Sequence, residues 1–386
     1  MEIANLLGGA GRVLAEDIAA DRDLPPFPRV TRDGYAVRSA DVASVPAKLK
    51  VIGEIRAGGA LEAGVSLNSG EAAAIMTGAP APPGADAVVM VEYTEVDGNR
   101  VQIKKSVAAG ENIVPAGAEA RRGELLLARG TRLDYAAISL AASVGRARVK
   151  VYRRPRVAIL STGDEVVDIA AEPGANQIRN SNSYSLGAQV QAVGAEAVLL
   201  PIAPDEPVQL KHLIEEGLSA DLLLLTGGVS MGKYDLVEQV LSGFRAEFFF
   251  TGALIQPGRP VVFGRAAMRP SAQPTYFLGL PGNPVSTMVT FELFARPIVE
   301  GLCGARPTKL QFVFARLKFE VKTHTGLTRF LPAVLSGAYD TTEVELVRWQ
   351  GSGDVAAIAR ANCWLVVPPD RDRIPAGELA AVMLRG

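Results

Sequence analysis

The sequence DLLLLTGGVSMGKYD at Asp221 to Asp235 carries four leucines into Thr226, Gly227 and Gly228, then offers Ser230, Lys233 and Asp235. Those residue types in that order suit an anion site. Consecutive apolar residues fit a strand covered on both faces, as in a parallel sheet. The glycines permit positive φ and a close approach of the backbone to a ligand, and ligands of open α/β sheets sit beyond the carboxyl ends of strands. Two further turns have the same character: STGDE, with Ser161, Thr162 and Gly163, and LPGNPVS, with Pro281, Gly282, Asn283, Pro284 and Ser286. In the third, Asn283, Ser286 and Thr287 open a helix whose free N–H groups and dipole attract negative charge. Plain glycine turns, and helix capping by Asn283 or Ser286, are the structural alternatives.

Carboxylates follow these turns. Asp164 and Glu165 lie after one strand end, Asp205 in PIAPDEP after another, and Asp235 after the third. Hard divalent cations such as Mg²⁺ take carboxylate oxygens together with substrate phosphates, so these four acids are candidates to face one, with a surface acid or helix cap as the structural alternative for each. Lys233, Arg259 and Arg179 supply positive charge for phosphate. His212 and His324 have no partner histidine or cysteine, and neither GxGxxG after a strand nor a Walker loop is present.

Strands and helices must alternate to place these turns on one rim, and from Arg156 onward they do. VAILS, AEAVLLPIA, DLLLL, AEFFF, RPVVFG and TYFLGL read as strands. Helices are expected at about Asn182–Val193, Val208–Gly217, Tyr234–Leu241 and Pro284–Leu302. The first 150 or so residues are β-rich, with Leu49–Ile55 and Ala87–Val91 as strands, a helix at Leu133–Val144, and helical spacing of Val13, Leu14 and Ile18 within Gly11–Ala20. The basic segment VKVYRRPRV marks a boundary near Tyr152.

The 386 residues hold material for roughly two to four domains. Forty basic residues against forty-one acidic ones give a net charge of -1, so no global field favours nucleic acid or a membrane surface. Cys303 and Cys363 are too far apart in sequence to suggest a metal cluster or disulfide framework, which favours a reducing compartment. No stretch approaches the ~18 apolar residues of a membrane span. A soluble, cytoplasmic protein is expected.

The chain resembles the molybdopterin molybdenumtransferase family, the MoeA-type enzymes related to the gephyrin E domain. The resemblance rests on LPPFPRVTRDGYAVR (Leu24–Arg38), IMTGAPAPPGADAVVMVE (Ile75–Glu92), VAILSTGDEVV (Val157–Val167), TGGVSMGKYD (Thr226–Asp235), IQPGRPVVFG (Ile255–Gly264) and LGLPGNPVS (Leu278–Ser286). It implies a Mg²⁺-dependent transferase that inserts molybdate into adenylylated molybdopterin with release of AMP, in molybdenum cofactor biosynthesis. By resemblance, Asp33, Thr77, Glu165, Asp205 and Asp235 are the catalytic positions, Asp205, Asp235 and Glu165 being the expected Mg²⁺ ligands, with Asp33 and Thr77 reaching the pocket across a homodimer interface. Two departures stand out: the family's common KPGKP is QPGRP here, with Gln256 and Arg259 in place of lysines, and PRVTR before DGYA brings Arg29 and Arg32.

The implied architecture is multidomain α/β plus β. Residues 1–43 with 119–152 form an N-terminal dimerisation body, 44–118 a β-rich insertion, 153–304 a three-layer α/β molybdopterin-binding domain with a mostly parallel sheet, and 305–386 a β-barrel-like domain. The pterin pyrophosphate and molybdate are the expected small-molecule partners, with the molybdopterin adenylyltransferase as a protein partner. The competing readings are a molybdopterin carrier or scaffold that inserts no metal, the adenylyltransferase itself, which would need only the middle third of the chain, and a flavin or nicotinamide oxidoreductase, which lacks its fingerprint.

Overall fold

The computed structural model describes residues 1–59, 66–228, 236–268, 273–306 and 309–385. Its centre is a six-stranded sheet in the order Glu196–Leu199, Arg156–Ser161, Leu222–Thr226, Thr275–Leu280, Val262–Ala266, Glu247–Phe250. The first four strands run parallel, Val262–Ala266 runs antiparallel to them, and Glu247–Phe250 runs antiparallel to Val262–Ala266. Leucines of the run Leu222–Leu225 alternate between two cores: Leu222 and Leu224 pack with Ile159, Leu186 and Phe291, whereas Leu223 and Leu225 pack with Leu160, Leu210 and Phe277. A strand buried on both faces needs no polar alternation, hence the unbroken leucines.

Successive strands leave Arg156–Ser161 on opposite sides, Glu196–Leu199 on one and Leu222–Thr226 on the other. This reversal opens a crevice at the carboxyl ends. Helices Ser181–Ala192, Pro207–Gly217 and Leu236–Ser242 cover the sheet. The expected long helix after Pro284 runs as Pro284–Thr290, a wide π-type turn Phe291–Ala295, and Arg296–Leu302.

Both ends of the N-terminal region build one small body. Glu2–Asn5 pairs with Arg148–Val151 and Ile18–Ala19 with Leu125–Leu127, beside the helix Tyr135–Ser143, which Asp134 caps by accepting from the Ala137 N–H at 2.8 Å. Gly11–Ala20 forms no helix, contrary to its helical spacing, but two isolated bridges and the short strand Ile18–Ala19. Val13 bridges Arg132 and packs into the central core, while Leu14 bridges Val151 and packs into the N-terminal core. Adjacent residues serving opposite cores require the two-residue period of a strand.

A second six-stranded sheet has the order Ala87–Met90, Gly34–Val37, Glu71–Ile75, Ala47–Ile55, Arg100–Ile103, Thr94–Asp97. Gly34–Val37 is hydrogen-bonded between two of its strands and buried throughout. The sheet therefore reaches back before residue 44, where the sequence placed its start.

At the C-terminus, Thr328–Ser336, Glu343–Leu346, Phe312–Leu317, Leu379–Leu384 and Cys363–Val367 pair in that order and close back on Thr328–Ser336. Closure leaves no free edge within the ring. Ile255–Gln256, from the α/β region, adds to this barrel beside Thr328–Arg329.

Candidate active site

Three strand-end turns interlock at the crevice. The Thr162 N–H donates to the Thr226 carbonyl at 3.0 Å, and Thr226 Oγ1 donates to the Pro281 carbonyl at 3.2 Å. Gly227 has φ +92° and lies so close to the first turn that a Cβ there would sit 2.5 Å from the Thr162 carbonyl oxygen. Gly282 packs in turn on Gly227, with 3.5 Å between its would-be Cβ and the Gly227 Cα. Positive φ and backbone contact together exclude a side chain at Gly227.

The turns line a cleft of about 640 Å³ with Thr162, Gly163, Glu165, Asp205, Gly227, Gly228, Pro260 and Pro281–Asn283 on its walls. An adjoining cleft of about 290 Å³ is shared by Ser161, Thr162, Glu165, Arg179, Asn180, Asn182, Thr226, Gly282, Asn283 and Pro284. Ser161, Thr162, Gly163, Thr226, Gly227, Gly228, Pro281, Gly282, Asn283 and Pro284 thus come together, along with Glu165 and Asp205. Ser286 lies buried one turn into the following helix. Asn283 occupies the cap position of that helix but makes no side-chain capping bond. It lines both clefts.

Ser230, Lys233 and Asp235 lie outside the described residues. Asp33 and Thr77 pair with each other, the Thr77 N–H donating to Asp33 Oδ1 at 2.6 Å, and they line neither cleft. That bond holds the Asp33 carboxyl below its ordinary range. Arg29 is engaged by Glu119 at 2.7 Å. The QPGRP loop reaches the larger cleft through Pro260, and Gly258, at φ +108°, fits against the Thr290 methyl and the Ser286 carbonyl. Gln256 is paired in register with Arg329, a buried arginine whose Nε and Nη2 both donate to the His324 carbonyl, at 3.1 and 3.0 Å. Sequence reading named neither this arginine nor the asparagines at the start of the helix Ser181–Ala192.

Those asparagines fasten the site. Asn180 caps the helix by accepting from the Ser183 N–H at 3.1 Å and accepts from Ser161 Oγ at 3.1 Å. Asn182 Nδ2 donates to Thr226 Oγ1 at 2.9 Å and to the Gly282 carbonyl at 2.7 Å, while its Oδ1 is buried with no partner among the described residues. The signal in the sequence was RNSNS after a strand-like pair, a run of capping residues.

The carboxylates crowd one rim. The Asp205 N–H donates to Asp164 Oδ1 at 3.0 Å. Partial desolvation, then the negative charges of Asp164 and Glu165, push the Asp205 carboxyl above its ordinary range. Among the described residues no group of three or more His, Cys, Asp or Glu side chains could hold a metal ion by itself. Glu165 and Asp205 on one wall nevertheless fit a cation that completes its coordination with water and phosphate oxygens, because an uncompensated pair of carboxylates is what such a cation relieves.

Residues 2–145 match the MoeA N-terminal region (domain I and II), 158–301 the probable molybdopterin binding domain, and 315–384 the MoeA C-terminal region (domain IV). The chain is 37% identical over 394 residues to the molybdopterin molybdenumtransferase of Nostoc sp., covering 99% of this chain and 88% of that protein. This chain belongs to the molybdopterin molybdenumtransferase family. Family membership extends to the enzyme of Staphylococcus aureus (strain Mu50), 33% identical with 96% of this chain and 88% of that protein covered. The molybdopterin biosynthesis MoeA proteins of Pyrococcus horikoshii share its fold. One gives a TM-score of 0.72 at 34% identity and another 0.80 at 28%, each covering 100% of this chain and 94% of the other. The family is one of transferases, and its central domain is the one that carries the clefts. Among the described residues no helix is long and apolar enough to cross a membrane.

Proposed function

We propose that this chain inserts molybdenum from molybdate into adenylylated molybdopterin, releasing AMP, as a step of molybdenum cofactor biosynthesis. The observation that carries this reading is the interlocked set of turns at Thr162, Gly227 and Gly282, with Glu165 and Asp205 on the same wall. Glycine turns with backbone N–H groups near a helix start suit phosphate oxygens, and the two carboxylates suit Mg²⁺ bridging to them. Glu165 and Asp205, with Asp235 beyond the described residues, would hold Mg²⁺, which neutralises charge on the phosphoanhydride. Asn182 and Asn283 orient the bound group. Gln256 and Arg259 of the QPGRP loop, which reaches the larger cleft through Pro260, would hold molybdate, a substrate.

Asp33 and Thr77 are proposed to complete the pocket of a partner protomer in a homodimer, since they line neither cleft of their own chain. The four-part division of the chain belongs to the same proposal. A cytoplasmic location and delivery of substrate by the adenylyltransferase belong to the same proposal.

The experiment combines purified protein, adenylylated molybdopterin, Mg²⁺ and molybdate and follows AMP. Molybdate-dependent release that is lost in Asp205→Ala and Asp235→Ala supports the assignment. Tight pterin binding without molybdate-dependent AMP release would establish a carrier or scaffold instead.

A further inference from the structure

Asp164 and Glu165 are consecutive, yet they do different work in one turn. Glu165 lines both clefts, whereas Asp164 lines neither. Gly163, at φ +133°, shapes the turn so closely that a Cβ there would collide with the Glu165 carboxylate. The Asp164 carboxylate has a different partner, the Asp205 N–H, which donates to Oδ1 at 3.0 Å.

That bond stands where a backbone ladder ends. Thr162 and Ala203 form a parallel bridge, with the Ala203 N–H donating to the Ser161 carbonyl at 2.9 Å and the Gly163 N–H to the Ala203 carbonyl at 3.2 Å. Continuing the ladder would send the Asp205 N–H to the Gly163 carbonyl. Gly163 turns the chain away instead, and the Asp164 side chain takes that N–H. On the other flank, Glu206 caps the helix Pro207–Gly217, its two carboxylate oxygens accepting from the Val208 and Gln209 N–H groups at 3.0 and 2.8 Å. Asp205 therefore sits between two tethers, and it lines the larger cleft.

We infer that Asp164 is a positioning residue for the reaction: by accepting the Asp205 N–H, it fixes the segment that sets the place of the Asp205 carboxylate on the cleft wall. A carboxylate acceptor makes a charge-assisted bond, stronger than a neutral amide oxygen makes. Position matters because misplacing a group of the site by about 1 Å costs up to about a hundredfold in rate. The inference rests on the transferase reading, in which Asp205 holds Mg²⁺.

The test compares three variants. Asp164→Asn keeps an acceptor oxygen at the same reach without the charge, Asp164→Glu keeps the charge one methylene further out, and Asp164→Ala keeps neither. Two quantities are followed: amide hydrogen exchange at Asp205 in the metal-free, substrate-free chain, and AMP release at saturating Mg²⁺. For Asp164→Ala and Asp164→Glu, exchange at Asp205 should quicken roughly tenfold and kcat should fall roughly tenfold, with KM for adenylylated molybdopterin unchanged. For Asp164→Asn both should stay within about threefold of the parent. Unchanged exchange in Asp164→Ala and Asp164→Glu, or faster exchange with parental kcat, overturns the inference. So does an Asp164→Asn variant that protects the Asp205 amide yet loses as much kcat as Asp164→Ala, since the charge and not the position would then matter. If Asp164→Ala fails to fold, the Asn and Glu variants decide by the same two measurements. A parent chain without molybdate-dependent AMP release refutes the transferase reading and this inference with it, whereas an active parent with an equally active Asp164→Glu refutes this inference alone.

Discussion

Asn182 reaches from the start of one helix to Thr226 at the end of the central strand, donating to its hydroxyl at 2.9 Å and to the Gly282 carbonyl at 2.7 Å. One amide thus holds two of the three turns in register. Asn182→Ala removes both bonds and should lower stability by about 1–2 kcal/mol, read by urea titration. It should also raise KM for the pterin substrate more than it lowers kcat, because the residue orients the turns rather than the reacting atoms. Wild-type kinetics in a destabilised variant would reduce Asn182 to a structural tie.

The sequence made the strand ends legible because a leucine run followed by paired glycines is a chemical pattern in itself. Asn182 was not legible as a site residue. Its role depends on a helix start arriving beside a turn far away in the chain, which no local pattern contains. Gly11–Ala20 was misread for a related reason: Val13 and Leu14 look like one helical face until two separate cores are known to lie on either side. Gln189 and Trp364 line one cavity only because the barrel docks on the α/β domain, and residues brought together from that distance read as ordinary helix and strand positions.

Gly227→Ala probes the interlock itself. The substitution places a Cβ 2.5 Å from the Thr162 carbonyl oxygen at a φ of +92°. Strain of that kind costs on the order of 1–3 kcal/mol, and the neighbouring turn must move as well. A lower melting temperature together with weakened substrate binding is expected. An unchanged melting temperature would mean that the turns are not in contact in solution.

Asp205 separates stability from activity. Its carboxyl is raised by desolvation and then by Asp164 and Glu165, so the folded state favours the protonated form. The associated stability is present below the ordinary aspartate range and is lost as pH rises through the raised value. At neutral pH the charge is therefore a burden on the fold. Asp205→Asn should be at least as stable as the parent at pH 7 by thermal melt, and the difference should shrink on acidification. Its AMP release should fall at least on the order of a hundredfold. A variant both less stable and fully active would contradict the assignment.

Cys363 is buried and its Sγ–H donates to the Ala333 carbonyl at 3.3 Å; burial pushes the thiol up to about 11. The thiol stays protonated through the neutral range, and stability tied to it is lost as pH rises from about 8.5, the ordinary thiol value, through about 11. Ellman's reagent should label neither cysteine of the native chain at pH 8 and both after denaturation. Prompt native labelling of Cys363 would show that the barrel opens readily.

Asp33 offers a test of the proposed partner contribution. The residue is exposed, bonded to the Thr77 N–H, and absent from both clefts of its own chain. Asp33→Ala and Asp205→Ala should each be inactive alone. If Asp33 serves the partner's cleft, dimers mixing the two variants contain one site with both residues intact, and random exchange restores about a quarter of parental turnover. Exchange is verified by differently tagged chains, so a failure of mixing is not mistaken for a failure of complementation. Verified mixed dimers with no activity would place Asp33 in its own protomer's chemistry or outside the site.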